Sequence, residues 1–321
     1  MTRTGLAKFQ VGAALAVWIV AFPGALWGVE FLKDWLYFFA WWPLLLFLDG
    51  VLFLARGESW LGDRPREFVR LAGWSVSVWL VFEVFNLCLQ NWGYIGVEPR
   101  LWVRWPGYAL AFATVLPGIL LTARVLEARG WFQGMAGKPR TLPAWQPSFL
   151  LAGVACLVWP LLFPRYAFPL IWLTFFFLLD PINDLLTGDS LTGRWLAGER
   201  QRHLCLLTAG LLCGLWWEVW NYPATAKWVY TLPVLNFGKI FEMPVLGYLG
   251  FLPFALECAV MFNASCPPGV AAWPGWCKLP SGWQPFRPLI LGQCWLLNSF
   301  RLRLRLRVPG ETCLSPIDSE N

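Results

Sequence analysis

Charge is scarce in this chain: 14% of its 321 residues are Asp, Glu, Lys or Arg, against about a quarter in an ordinary soluble domain. There is a single histidine, His203, and the nine cysteines include no C-x-x-C pair. A Cys/His zinc site is thereby excluded, and the odd cysteine count argues against a disulfide framework. Cys88, Cys156, Cys205, Cys213 and Cys258 all fall inside apolar segments, where cysteine behaves as a small hydrophobe. Gly-rich phosphate loops, nucleophile elbows and H-E-x-x-H helices are also missing, which removes the commonest nucleotide, acyl-transfer and zinc-protease chemistries. The net charge of +6 is explained by where basic residues sit in loops, and nucleic-acid binding is not expected.

What the chain has instead is apolar length. It is 58% hydrophobic, and several runs reach the roughly 20 residues that a helix needs to cross a bilayer. Breaks at charged or Pro/Gly-rich stretches predict eight spans, near 9–29, 34–56, 68–92, 105–126, 147–164, 166–187, 203–222 and 243–263. The first is too long for a signal-peptide core and has no small-x-small cleavage site, so it is expected to be a retained helix. The fold class is therefore an all-α integral membrane protein whose first partner is the lipid bilayer.

Arg56, Arg64, Arg66, Arg129, Lys138, Arg140, Arg194, Arg200 and Arg202 fall in alternate loops, on the same side as Arg3 and Lys8. The positive-inside rule then places both termini in the cytoplasm, as for a bacterial inner-membrane protein. Trp92, Trp102, Trp105 and Trp228 are expected in the outer aromatic belt, and Trp60, Trp145 and Trp195 in the inner one. His203 is expected as a solvated interfacial residue. After about residue 263 the composition turns to Pro, Cys and Trp and then to "RLRLRLR" (Arg301 to Arg307), a basic tail suited to anionic lipid.

The sequence also echoes itself. "LDGVLFLARGESWLG" (Leu48 to Gly62) aligns without a gap on "LDPINDLLTGDSLTG" (Leu179 to Gly193). Farther on, "LVFEVFNL" (Leu80 to Leu87) aligns on "LWWEVWNY" (Leu215 to Tyr222), and Trp92 and Tyr94 echo Trp228 and Tyr230. Two tandem four-helix repeats are expected, 1–130 and 147–263, joined by a cytoplasmic linker at 131–146 and followed by the tail at 264–321. An even number of spans per unit returns the chain to its starting side, so the repeats should be related by a pseudo-twofold axis along the membrane normal.

The echo matches Asp49 with Asp180, Glu83 with Glu218 and Asn86 with Asn221. An acid inside a span costs about 2.5–3.5 kcal/mol on insertion scales and defaults to a functional candidate, although matched polar pairs that glue helices together would look the same. Glu83 and Asn86 are three residues apart, as are Glu218 and Asn221, so each pair shares a helix face. The amide is expected to donate to the carboxyl, with tryptophan N–H groups as further donors. These four are the candidate catalytic residues. Asp49, Asp180, Asp184, Trp217 and Glu257 are candidate substrate contacts. Asp180, before Pro181, also suits a helix cap, with the proline opening a new helix.

Asp180, Asp184 and Asp189 in "DPINDLLTGD" have a spacing that suits Mg2+ bridging a diphosphate. The stretch is similar to the aspartate-rich motifs of membrane-embedded aromatic prenyltransferases; the first half carries Asp49, Glu58 and Asp63 there. The resemblance implies a lipid-like or isoprenoid substrate in a cavity between the repeats, lined by spans two, three, six and seven. Two other readings stand beside it. Acids at two depths suit a proton- or cation-coupled transporter, and polar pairs that only glue helices suit a structural or partner-binding subunit.

Overall fold

The computed structural model describes residues 2–265. The expected basic tail with "RLRLRLR" lies outside the described residues. Among those described, eight helices are long and apolar enough to cross a membrane, so the chain is a multi-pass integral membrane protein. They are α1 (Arg3–Leu26), α2 (Leu36–Arg56), α3 (Pro65–Leu89), α4 (Leu101–Ala128), α5 (Trp145–Leu162), α6 (Pro164–Thr187), α7 (Gln201–Asn221) and α8 (Val245–Ala264). α1 packs on α2 and α5 on α6, while α4, α7 and α8 meet at the centre.

Sequence chemistry sets the boundaries. α2 ends at Gly57 with φ 72° and α6 at Gly188 with φ 69°, the left-handed conformation that glycine adopts at no steric cost. Two residues later Ser59 and Ser190 each cap a short helix, Trp60–Asp63 and Leu191–Leu196, by accepting from the N–H of Gly62 and Gly193. Pro65 then opens α3 at a position where no N–H is needed.

α4 is interrupted at Ala113–Thr114. Pro117 lacks the N–H that would bond the carbonyl of Ala113, and its ring crowds that carbonyl. Lipid offers the freed groups no partner, and Ser75 of α3 supplies one: its hydroxyl donates to Phe112 O at 2.5 Å and accepts from Leu116 N at 2.9 Å. At Pro181 the expectation fails, because α6 runs through that proline without a new start.

The all-α expectation needs one addition. Strands β1 (Trp92–Ile95) and β2 (Lys227–Tyr230) pair antiparallel, with Trp92 opposite Tyr230, Gly93 opposite Val229 and Tyr94 opposite Trp228. This ribbon joins the connection after α3 to the connection after α7. A smaller pair, β3 (Lys239–Ile240) and β4 (Met243–Pro244), follows it.

Candidate functional site

Alternate residues of a strand point to one face, and directly paired residues share that face. The register therefore places Trp92, Tyr94, Trp228 and Tyr230 together on one side of the ribbon. Beneath that side lie the glutamates in the last turns of α3 and α7. Glu83 Oε1 accepts from Trp79 Nε1 at 2.9 Å, Trp92 Nε1 at 3.1 Å and the Tyr94 hydroxyl at 2.5 Å. Glu218 Oε1 accepts from Trp228 Nε1 at 3.2 Å and the Tyr230 hydroxyl at 2.8 Å. Both acids are buried. Burial, and then the neighbouring carboxyl group, push both phenols well above the usual tyrosine range, so each stays a donor.

The third donor to Glu83 comes from Trp79, one turn earlier on α3. The aligned position in α7 is Gly214, where an added Cβ would collide with the ring of Phe251. No indole fits there. Glu218 Oε2 is buried and accepts from no side chain among the described residues; the backbone N–H of Met243 also faces this carboxyl.

The asparagines do something other than expected. Asn86 Nδ2 donates to Trp92 O at 2.8 Å, and Asn86 Oδ1 accepts from Asn91 N at 2.8 Å and Trp92 N at 3.3 Å. Asn221 bonds the backbone of Trp228 in the same way, at 2.9 and 3.0 Å. Each side chain imitates a neighbouring strand and fixes the residue whose indole N–H reaches the glutamate. The amides orient the acids' donors and do not bond the acids themselves.

The aspartates fasten loops. Asp49 accepts from Trp60 N at 2.5 Å, Leu61 N at 3.2 Å and Ser59 Oγ at 2.6 Å. Asp180 accepts from Leu191 N at 2.7 Å and Thr192 N at 2.8 Å. An anion at a helix N-terminus meets unpaired N–H groups and the positive end of the dipole. Asp180 thus caps the short helix eleven residues ahead and not one begun by Pro181. Asp184 accepts from Ser190 Oγ and Gln146 Nε2 at 2.7 and 2.9 Å, and Asp189 pairs with Arg194 at 2.6 Å. Glu58, aligned with Asp189, pairs with Arg124 at 2.8 Å. The Mg2+ expectation for Asp180, Asp184 and Asp189 finds no support: each carboxylate faces its own protein donors, and no group of three metal-ligating side chains occurs among the described residues.

Glu257 sits fully buried on α8, where its Oε1 accepts from the backbone N–H of Phe175 at 2.8 Å near the irregular start of α6. It adds a second acceptor to an N–H in the first turns of the regular helix that begins at Ile171. His203 is buried edge-on against Trp195, with ring centroids 5.2 Å apart, and is not the solvated residue its basic neighbours suggested. Trp92 and Trp228 are likewise ribbon residues rather than lipid-belt anchors.

Beside the ribbon lies a cavity of about 390 Å³, within the range of small-molecule sites. Trp79, Trp92, Tyr94, Trp217, Trp228 and Tyr230 line it, with Tyr37, Trp172, Phe251 and Phe254. α2, α3, α6 and α7 contribute as expected, and α4, α8 and the ribbon contribute as well. Asp34, Glu98, Arg104 and Lys227 line it too. The Arg100 guanidinium and N–H hold half-buried Glu98 low, at about 2, and Lys227 pairs with Glu242 at 2.6 Å. Of the candidate site residues only Trp217 lines the cavity; Glu83 and Glu218 stand behind its walls. Compared with models of protein families, with curated proteins and with solved structures, the chain matches none.

Proposed function

We propose that the protein binds a lipid-like or isoprenoid molecule in the aromatic cavity, at the junction of two tandem four-helix repeats. One observation carries this reading: most of the amphipathic rings that line the cavity beside the glutamates have their polar atoms bound elsewhere. Trp79, Trp92 and Tyr94 donate to Glu83, Trp228 and Tyr230 donate to Glu218, and Trp217 Nε1 donates to the Tyr37 hydroxyl at 3.3 Å. What they leave for a guest is hydrocarbon and ring face. An apolar cavity of roughly 150 Å³ takes up one benzene, so 390 Å³ admits a head group and part of a tail.

The repeat reading draws on the same partners in both halves. α1 packs on α2 as α5 does on α6, α2 on α4 as α6 does on α8, and α3 on α4 as α7 does on α8. In the ribbon, residues aligned by the internal echo, Gly93 and Val229, stand opposite each other, as a twofold axis through that point requires. With basic loops in the cytoplasm, the ribbon and the cavity belong to the outer leaflet of a bacterial inner membrane.

In this account Glu83 and Glu218 hold the walls, Asn86 and Asn221 hold the ribbon, and no reaction is assigned. Proton- or cation-coupled transport is the second reading, favoured by the fully buried Glu218, which has no indole donor to match Trp79; a Glu218→Gln variant that abolishes ion-driven uptake in vesicles would support it.

Native mass spectrometry of the purified protein tests the binding reading. Gly107 lines the cavity, and a Cβ there meets only Trp35 and Phe38 at ordinary contact distance, so Gly107→Phe fills the space without disturbing backbone. The wild type is expected to retain a bound lipid-like mass that Gly107→Phe lacks. Identical spectra from two folded proteins would end the proposal.

A further inference from the structure

Two polar groups on the cavity wall differ from the rest. Asn91 is buried, 3% exposed, and lines the cavity. Its main chain is engaged, with N–H on Asn86 Oδ1 and C=O accepting from Thr231 N. Its side-chain Oδ1 is buried and finds no hydrogen-bond partner among the described residues. The hydroxyl of Tyr108 is in the same condition and also lines the cavity.

Every other ring hydroxyl on this wall has a partner. Tyr94 and Tyr230 donate to glutamates, and Tyr37 bonds Trp217 and lies 3.4 Å from Thr114 Oγ1. Burying an amide oxygen or a phenol without a partner is unfavourable, and the chain carries that cost twice beside one space. A guest that supplies both partners removes it.

We propose that the guest carries a planar ring head bearing at least one hydroxyl, of the phenol or quinol type, and that Asn91 and Tyr108 are the residues that recognise it. The proposal rests on the reading of the cavity as an apolar binding site. Side-chain chemistry sets the class. The carboxamide oxygen of Asn91 needs a donor, which a ring hydroxyl supplies and a carbonyl does not, and the phenol of Tyr108 can donate or accept.

Ring geometry agrees. Tyr108 lies 5.5 Å from the ring of Tyr94 and stacks on Phe112 at 5.7 Å with an interplanar angle of 16°, so its hydroxyl sits on a wall that favours offset stacking of a flat head. Charge argues against a diphosphate or other multiply charged head. The lining has two acids, Asp34 and Glu98, and two bases, Arg104 and Lys227, and Lys227 is already paired with Glu242.

The experiment is a titration of the purified full chain in detergent, followed by the saturable change of tryptophan fluorescence. The two probes are a decyl-substituted hydroquinone and decylbenzene, which has the same tail and ring without oxygens. The wild type is expected to bind the hydroquinone more tightly than decylbenzene. Tyr108→Phe and Asn91→Leu should each weaken hydroquinone binding about 2- to 10-fold, the worth of one hydrogen bond, and leave decylbenzene binding unchanged, which shows that the cavity is still formed. Equal affinity for the two probes, unmoved by either variant, would overturn the recognition by Asn91 and Tyr108 while leaving an apolar site standing. No saturable binding of either probe would remove the site itself.

Discussion

Trp92 and Tyr230 face each other across the ribbon, yet they serve different acids: the indole N–H lies 3.1 Å from Glu83 and the phenol 2.8 Å from Glu218. Each strand is thus tied to the helix that precedes it, and the pairing ties the two helices together. The donors are unequal, because Glu83 has a third side-chain donor in Trp79 while Glu218 has only the backbone N–H of Met243 in its place. Tyr230→Phe should therefore destabilise more than Tyr94→Phe, by about 1–3 kcal/mol for the first, read as the shift of the unfolding midpoint in detergent. A larger loss for Tyr94→Phe would contradict the asymmetry.

Asn86 and Asn221 are read as fasteners of the ribbon. Asn86→Ala and Asn221→Ala should each speed amide hydrogen exchange at 92–95 and 227–230, since loss of one strand frees the other, while exchange in α1 and α5 stays unchanged. Asn221→Asp keeps the acceptor for Trp228 N but sets a buried carboxylate oxygen against Trp228 O, so its effect should be no smaller. Unaltered exchange in the alanine variants would show that the ribbon does not depend on them.

The aspartates should behave as caps. Asp180→Asn keeps one acceptor oxygen where the carboxylate offers two to Leu191 and Thr192, and a loss of about 1 kcal/mol is expected, the usual worth of a cap. Neither Mg2+ nor EDTA should shift the melting temperature of the wild type or the variant. A melting temperature that rises with Mg2+ in the wild type and not in Asp180→Asn would restore the metal reading.

Glu257 bonds a backbone N–H through one oxygen, which glutamine can reproduce. Glu257→Gln should be close to neutral in stability, and Glu257→Leu should cost about 1 kcal/mol, the net worth of the hydrogen bond it loses, since Phe175 N–H keeps its place in the helix. If both variants are equally stable and both lose ligand, Glu257 is a binding group instead.

The spans were legible in the sequence because apolar length is a local property, and the eight predicted segments lie on α1 to α8 within a few residues. The glutamates, the asparagines and the echoing Trp and Tyr pairs were visible as candidates for the same reason. What joins them was not. "WGYI" and "KWVY" are too short to show a strand period, and they pair across more than a hundred residues, so nothing near either segment reveals the ribbon. Without it, Asn86 has only Glu83 to bond and Trp92 only lipid to meet. Asp180 misled in a similar way. Its nearest use, a cap before Pro181, is local, whereas its N–H partners Leu191 and Thr192 come into reach only after Gly188 turns the chain back. Asn91 and Tyr108 carried no signal at all, because their distinction is the lack of a partner.

Site-resolved photolabelling tests the occupied cavity most directly. A diazirine on an isoprenoid-like chain, incubated with the protein in lipid and located by peptide sequencing, should label Trp217 and Phe251, with labelling there suppressed by excess unlabelled chain. Exposed positions such as Val69 and Leu151 should label without such protection. Labels confined to those outer positions, with the cavity residues untouched, would contradict the account.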